Sequence, residues 1–193
     1  MPEPQAGVLT ASDEQLVKCA REGDRDSLEE LFRRYWGLSY RVAYRLLGHE
    51  QDALDAVQDS LYKAYVHLGA FDGRSGFRTW LLRIVRNTAL DAGRRRRRRK
   101  LLRLGDSENE GPEPTVTENP ASDLERSDLK RALDIALQRL SPSMRSTFVL
   151  FAEAELSYKD IAECEGVPIG TVMSRLHYVR QKLQAYLEGD SAV

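Results

Sequence analysis

Apolar residues recur at intervals of three and four along almost the whole chain, and no segment alternates with the period of two that marks a half-buried strand. The pattern predicts an all-α protein. Ser12, with Gln15 three residues on, opens the first helix as a capping box, and Leu16, Val17 and Ala20 follow. Leu28, Leu31, Phe32, Tyr35, Leu38, Val42 and Leu46 form the stripe of a second helix that stops at Gly48. A third, from about Gln51, buries Leu54, Val57, Leu61, Ala64 and Leu68. The loop from Gly69 to Gly76 carries three glycines and interrupts the pattern. A fourth helix starts near Phe77, buries Trp80, Leu81, Ile84, Val85 and Thr88, and then enters a run of arginines.

The period resumes further on. Leu129, Leu133, Ala136, Leu137 and Leu140 make one amphipathic helix. Ser141-Pro142 supplies the N-cap and first turn of the next, with Met144, Phe148, Val149 and Phe151. Ser157 and Asp160 cap a short helix around Ile161 and Ala162, Gly166 breaks it, and Pro168 restarts a last helix on Val172, Leu176, Val179, Leu183 and Leu187. Between the two sets, the acidic stretch rich in Pro, Gly, Glu and Asn has no apolar period and cannot bury enough surface to offset its ordering entropy. The sequence therefore predicts two small helical domains, residues 12–104 and 124–188, joined by a flexible acidic linker at 105–123.

Composition narrows the class. At 193 residues, 41% apolar and 31% charged, the chain reads as globular, and no apolar run approaches the ~18 residues of a membrane span. The first eleven residues lack the plan of a secretory signal, so a cytoplasmic location is the expectation, with no membrane insertion. Cys19 and Cys164, far apart on helical patterns, read as reduced thiols acting as small apolar fillers. His49, His67 and His177 are scattered, which predicts no metal site. A net charge of −1 hides six consecutive arginines, Arg94 to Arg99, followed by Lys100 and Arg103, which point to a polyanionic partner.

Three constellations carry candidate chemistry. Ala162, Gly166 and Val172 have helix-turn-helix spacing: a small residue for close approach, a glycine for the left-handed turn, and a valine that packs the second helix back. That second helix would present Thr171, Ser174 and Arg175 to a major groove, where an ordinary helical hairpin would present nothing in particular. The arginine run continues a helix already bearing Arg78, Arg83 and Arg86, with Arg74 in the preceding loop. Such a face offers charge for phosphates, and Phe71, Phe77 and Trp80 offer ring faces for unpaired bases. The same three rings also fit a core role, which is the stronger reading for Trp80 and stays open for Phe71 and Phe77. Lastly, Asp52, Asp55 and Asp59, with Gln58 beside them, lie on a face away from the Leu54/Val57/Leu61 stripe. Without a histidine pattern, phosphate loop or nucleophile motif they do not read as catalytic carboxylates, and neither an enzyme nor a cofactor is expected. They read as a docking face for a basic partner, against the alternative of a solubilising surface.

Taken together, these motifs resemble the extracytoplasmic-function group of the sigma-70 family. Asp52-Ala-Leu-Asp-Ala-Val-Gln-Asp59, Phe77-Arg-Thr-Trp-Leu-Leu-Arg-Ile84 and Arg86-Asn-Thr-Ala-Leu-Asp91 are similar to the family's region 2. Leu156-Ser-Tyr-Lys-Asp-Ile-Ala162 and Val167-Pro-Ile-Gly-Thr-Val-Met-Ser-Arg-Leu176 are similar to region 4. The resemblance implies a sigma factor that binds core RNA polymerase, through the β′ clamp coiled coil and the β flap, and promoter DNA. Asp52, Asp55, Gln58 and Asp59 would dock on the clamp coiled coil. Phe71, Arg74, Phe77, Arg78, Trp80, Arg83, Arg86, Asn87, Arg94 and Arg95 would engage the minus-10 element, the Gly69–Gly76 loop and Asn87 capturing a flipped base. Thr171, Met173, Ser174, Arg175, His177 and Tyr178 would face the duplex minus-35 element. The linker would pass near the RNA exit path, and an anti-sigma factor is a further partner so implied. The sequence departs from the family pattern at Met173 and Tyr178, where Lys or Arg is common, and at Leu54 and Asp59, where Glu is common. The competing reading is a stand-alone helix-turn-helix regulator of duplex operators, which leaves the basic aromatic face and the acidic helix without a purpose.

Overall fold

The computed structural model describes residues 11–103 and 132–189. The expected linker and the expected start of the second domain lie outside the described residues. Everything described is helix or connection: α1 (Asp13–Arg21), α2 (Arg25–Leu47), α3 (Glu50–His67), a 3₁₀ turn (Leu68–Ala70), α4 (Phe77–Arg103), a helical stretch α5 (132–138), α6 (Pro142–Ala152), α7 (Tyr158–Glu165) and α8 (Ile169–Gly189).

Local chemistry sets the boundaries. At α1, Ser12 Oγ accepts from the Gln15 amide at 3.3 Å while the Gln15 side chain accepts from the Ser12 amide at 2.9 Å. Asp24 caps α2, and the hydrogen bond from Ser27 holds its carboxyl below the usual range. Gly48 ends α2 in the left-handed conformation, φ 68°. Ser141 with Pro142 starts α6, and Ser157 caps α7 through the Asp160 amide.

In the first half, α2, α3 and α4 pack around Leu31, Val42, Val57, Leu81, Leu82 and Val85, all fully buried. Leu82 and Ala89 extend the α4 stripe beyond its sequence reading, while Trp80 and Ile84 are half-buried. A polar clasp holds α1 on this core: Arg34 bonds the Ala11 carbonyl and Asp13, and Tyr35 Oη donates to Asp13. Burial pushes the Tyr35 phenol up, and the Asp13 carboxylate pushes it further.

The apolar interior continues into the second half. One cluster joins the residues above to Val149, Leu150, Ala154, Leu156, Ile161, Cys164, Val172 and Leu176, and a smaller one gathers Leu137, Leu140, Val179 and Leu183. Contacts of α2 with α6 and of α4 with α7 close the seam. Cys164 is buried, and burial pushes its thiol up to about 12. Cys19 is exposed rather than acting as a filler, because its position on α1 faces away from the core. Among the described residues, no helix is long and apolar enough to cross a membrane.

Candidate nucleic-acid interface

The acidic helix presents what its periodicity predicts. Asp55, Gln58 and Asp59 are exposed on α3, opposite buried Ala53, Ala56, Val57 and Leu61. Asp52 is less available: its carboxylate takes Arg96 Nη1 at 2.7 Å, with His49 Nδ1 3.8 Å away. Sequence reasoning missed the apolar continuation of this face, since Tyr62, Tyr65 and Val66 are 54–68% exposed. The signal was present, because Asp55, Asp59, Tyr62 and Val66 follow one ridge at spacings of four, three and four.

The loop between α3 and α4 hangs on a group of aromatic rings. Phe71, Phe77 and Trp80 pack with centroids 5.2–6.1 Å apart, and Tyr35 adds a fourth ring 5.6 Å from Phe77. Phe71 and Phe77 are buried, so the alternative left open for them resolves toward packing, and Trp80 is the ring with surface to offer. Arg21, unread in the sequence, reaches from α1 to the Phe71 and Gly69 carbonyls at 3.4 Å and fixes the base of the loop. Arg74 is exposed and pairs with Asp72 at 3.0 Å.

The basic face of α4 divides in two. Asn87 is exposed, its Oδ1 accepting from Arg86 at 2.9 Å; Arg94 pairs with Asp91, and Arg95 is exposed. The helix carries on through the whole arginine run to Arg103. Arg78, Arg83 and Arg86 instead turn to the second half of the chain. Arg78 donates to the Ala154 carbonyl, Arg83 to the Glu163 carbonyl at 2.8 Å, and Arg86 to Ser146 Oγ at 2.7 Å. Further along the seam, Arg45 pairs with Asp134 and Glu153. The buried Arg145 bonds the Leu46 carbonyl and the Leu137, Gln138 and Leu140 carbonyls at 2.7–3.3 Å. Burial, then nearby Arg97, pulls the Arg145 guanidinium down to about 10, which leaves it charged at neutral pH.

The helix-turn-helix has the geometry its spacing predicts. Gly166 is left-handed at φ 66° and the Val167 amide bonds the Ala162 carbonyl at 3.0 Å, with Val172 fully buried behind. Met173, Ser174, His177 and Tyr178 are exposed and Thr171 half-exposed on α8. Arg175 is the exception: its Nη1 lies 2.7 Å from Glu165 Oε2, a carboxylate with no exposed surface. The other oxygen of Glu165 lies 3.4 Å from Arg86 Nε, and Ser146 and Thr147 also donate to the group. One buried carboxylate thus holds an arginine from each half. Among the described residues no group of acidic, Cys and His side chains could hold a metal ion.

Comparison with known proteins matches this architecture. Residues 31–99 fit the model of Sigma-70 region 2, and residues 130–183 fit that of Sigma-70, region 4. The chain is 36% identical over 171 residues to the ECF RNA polymerase sigma factor SigE of Mycolicibacterium smegmatis, covering 86% of this chain and 63% of that protein. It is 33% identical over 181 residues to the RNA polymerase sigma-H factor of Pseudomonas aeruginosa, covering 91% of this chain and 94% of that protein. Among solved structures, the sigma factor RpoE in complex with the anti-sigma factor NepR from Bartonella quintana superposes with a TM-score of 0.63 and 27% identity, over 83% of this chain and 98% of that one. Region 2 followed by region 4, on helices throughout, makes this chain a member of the sigma-70 family in its extracytoplasmic-function group.

Proposed function

We infer that this chain is a sigma factor: it binds core RNA polymerase and directs promoter-specific transcription initiation. The observation that carries the reading is the presence of both DNA-reading regions in order in one chain. A stand-alone regulator needs only the helix-turn-helix and gives region 2 no task. The chemistry is non-enzymatic, with strand opening driven by binding free energy, and its place is the cytoplasm alongside core polymerase. Residues 12–104 and 124–188 form the two working domains on either side of the 105–123 linker.

Within that frame, Asp55, Gln58 and Asp59 are the polar part of the core-docking face, and Tyr62 and Val66 extend it with apolar area of the kind interface centres use. The Gly69–Gly76 loop, Trp80 and Asn87 form the minus-10 reader, with Phe71 and Phe77 holding the loop from beneath. Arg78, Arg83 and Arg86 join the reader once the second half moves off them, and Arg94 and Arg95 lie along the strand beyond. The exposed start of α8 reads the minus-35 element. The seam between the halves is also the surface an anti-sigma factor would stabilise.

Run-off transcription with core polymerase on a library of genomic fragments tests the function, with initiation at a restricted promoter set as the expected result. No stimulation over core alone overturns it. Asp55→Arg with Asp59→Arg is expected to abolish capture of core while leaving the folded chain intact, since both positions are exposed. Undiminished capture removes that face from the assignment.

A further inference from the structure

The first turns of α8 carry an unusual surface for a duplex reader. Thr171, Ser174 and Arg175 are the polar side chains expected there, and the structure engages two of them elsewhere. Arg175 is drawn back onto buried Glu165 at 2.7 Å. Ser174 Oγ donates to the Thr171 carbonyl at 3.0 Å, so its proton faces its own helix. Beside the exposed Ser174, the large side chains that stand out into solvent are apolar: Ile169 is 45% exposed and Met173 55% exposed. They lie four residues apart, one turn along the same ridge. Exposed cations lie at the margins, Lys159 on the first turn of α7 and Arg180 and Lys182 further along α8. Cations so placed suit phosphates at the edges of a contact and leave hydrocarbon at its centre. In a major groove the hydrocarbon partner a base pair offers is the thymine 5-methyl, whereas guanine offers acceptors that call for a cation.

We propose that Ile169 and Met173 read the upstream promoter element through thymine methyl groups, in place of cation contacts to guanine. The assignment rests on the sigma-factor reading above and names the bases its upstream site selects. Methionine suits the task because its flexible, polarizable side chain adapts to a methyl without fixed geometry. With no hydrogen bond to satisfy at this position, discrimination comes from burying the methyl, about fourfold in affinity per methyl.

The test uses holoenzyme assembled from core polymerase and the full chain, on templates with a randomised upstream element. The expected selection is rich in thymine under α8. Replacing those thymines by deoxyuridine, which removes only the methyl, is expected to weaken promoter binding about fourfold per position. Met173→Lys, at an exposed position that leaves the core untouched, is expected to erase the deoxyuridine penalty at its base and bring guanine into the selected set. Two results overturn the proposal: indifference of the wild-type holoenzyme to deoxyuridine, or an unchanged base preference in Met173→Lys. A Met173→Lys chain that loses core binding instead of base preference assigns the patch to a protein partner and also overturns it. Failure to initiate on any template is a different result, because it removes the sigma-factor reading itself.

Discussion

At Glu30 a carboxylate with 4% of its surface exposed meets two guanidinium groups of its own helix. Arg33 donates Nε and Nη2 at 2.8 Å each, and Arg34 donates Nε at 2.7 Å while reaching on to Ala11 and Asp13. Burial alone would raise this carboxyl, but hydrogen bonds from Arg34 and Arg33 outweigh it and hold the group below its ordinary 4.5. Its folded value is therefore lower than its unfolded one. The stability it contributes is fully present above pH 4.5 and is lost as pH falls through the folded value. Glu30→Gln is expected to cost about 2 kcal/mol at pH 7, the worth of hydrogen bonds to a charged group. In urea titrations the gap between variant and parent should shrink below pH 4, and a gap that stays constant to pH 3 excludes this role for Glu30.

At the scale of elements, α7 is bracketed by two left-handed residues of opposite fitness. Gly166, at φ 66°, has no atom within 4 Å of where a Cβ would stand, so Gly166→Ala meets only dihedral strain. It should cost about 1 kcal/mol, read as a lowered midpoint in thermal unfolding. Glu155, before α7, sits at φ 46° with a side chain, and Glu155→Gly should stabilise by up to about 1 kcal/mol. An unchanged midpoint in both variants contradicts the assignment. The helices and their ends were legible in the sequence because caps act over three residues: Ser12, Ser141 and Ser157 each bond within their own first turn. The exposure of Asp55 and Asp59 was legible for the same reason, since helical spacing separates them from the Val57 stripe. Two things were not. Arg175 reads as a base contact because its partner Glu165 belongs to the preceding helix, beyond any helical spacing. His49, the side-chain cap of α3, is not a residue that composition marks as a cap.

Across the whole molecule, the two halves meet through arginines with partners 60 to 108 residues away, a separation no periodicity reveals. The seam engages Arg78, Arg83 and Arg86, so in the proposed reading these residues reach the minus-10 element only once the halves part there. The closed arrangement is not free of cost, because Arg78 Nε is buried without a hydrogen-bond partner. Glu165→Gln removes the charge that binds Arg86 and Arg175 together. It is expected to enlarge the scattering radius of the free chain and raise its affinity for a single-stranded minus-10 oligonucleotide several-fold. No change in either quantity argues against Glu165 as the clasp. The far end of α4 carries a consequence of another kind. Arg94 to Arg98 and Arg95 to Arg99 are like charges one turn apart, each pair costing the helix a few tenths of a kcal/mol. Among the described residues, Arg94 pairs with Asp91 and Arg96 with Asp52. Dissolved ions soften that repulsion, so added salt should tighten this tip while weakening its grip on nucleic acid. The helicity of this tip is therefore expected to rise with strong electrolyte or on meeting a polyanion, a change that circular dichroism at low and high salt would read.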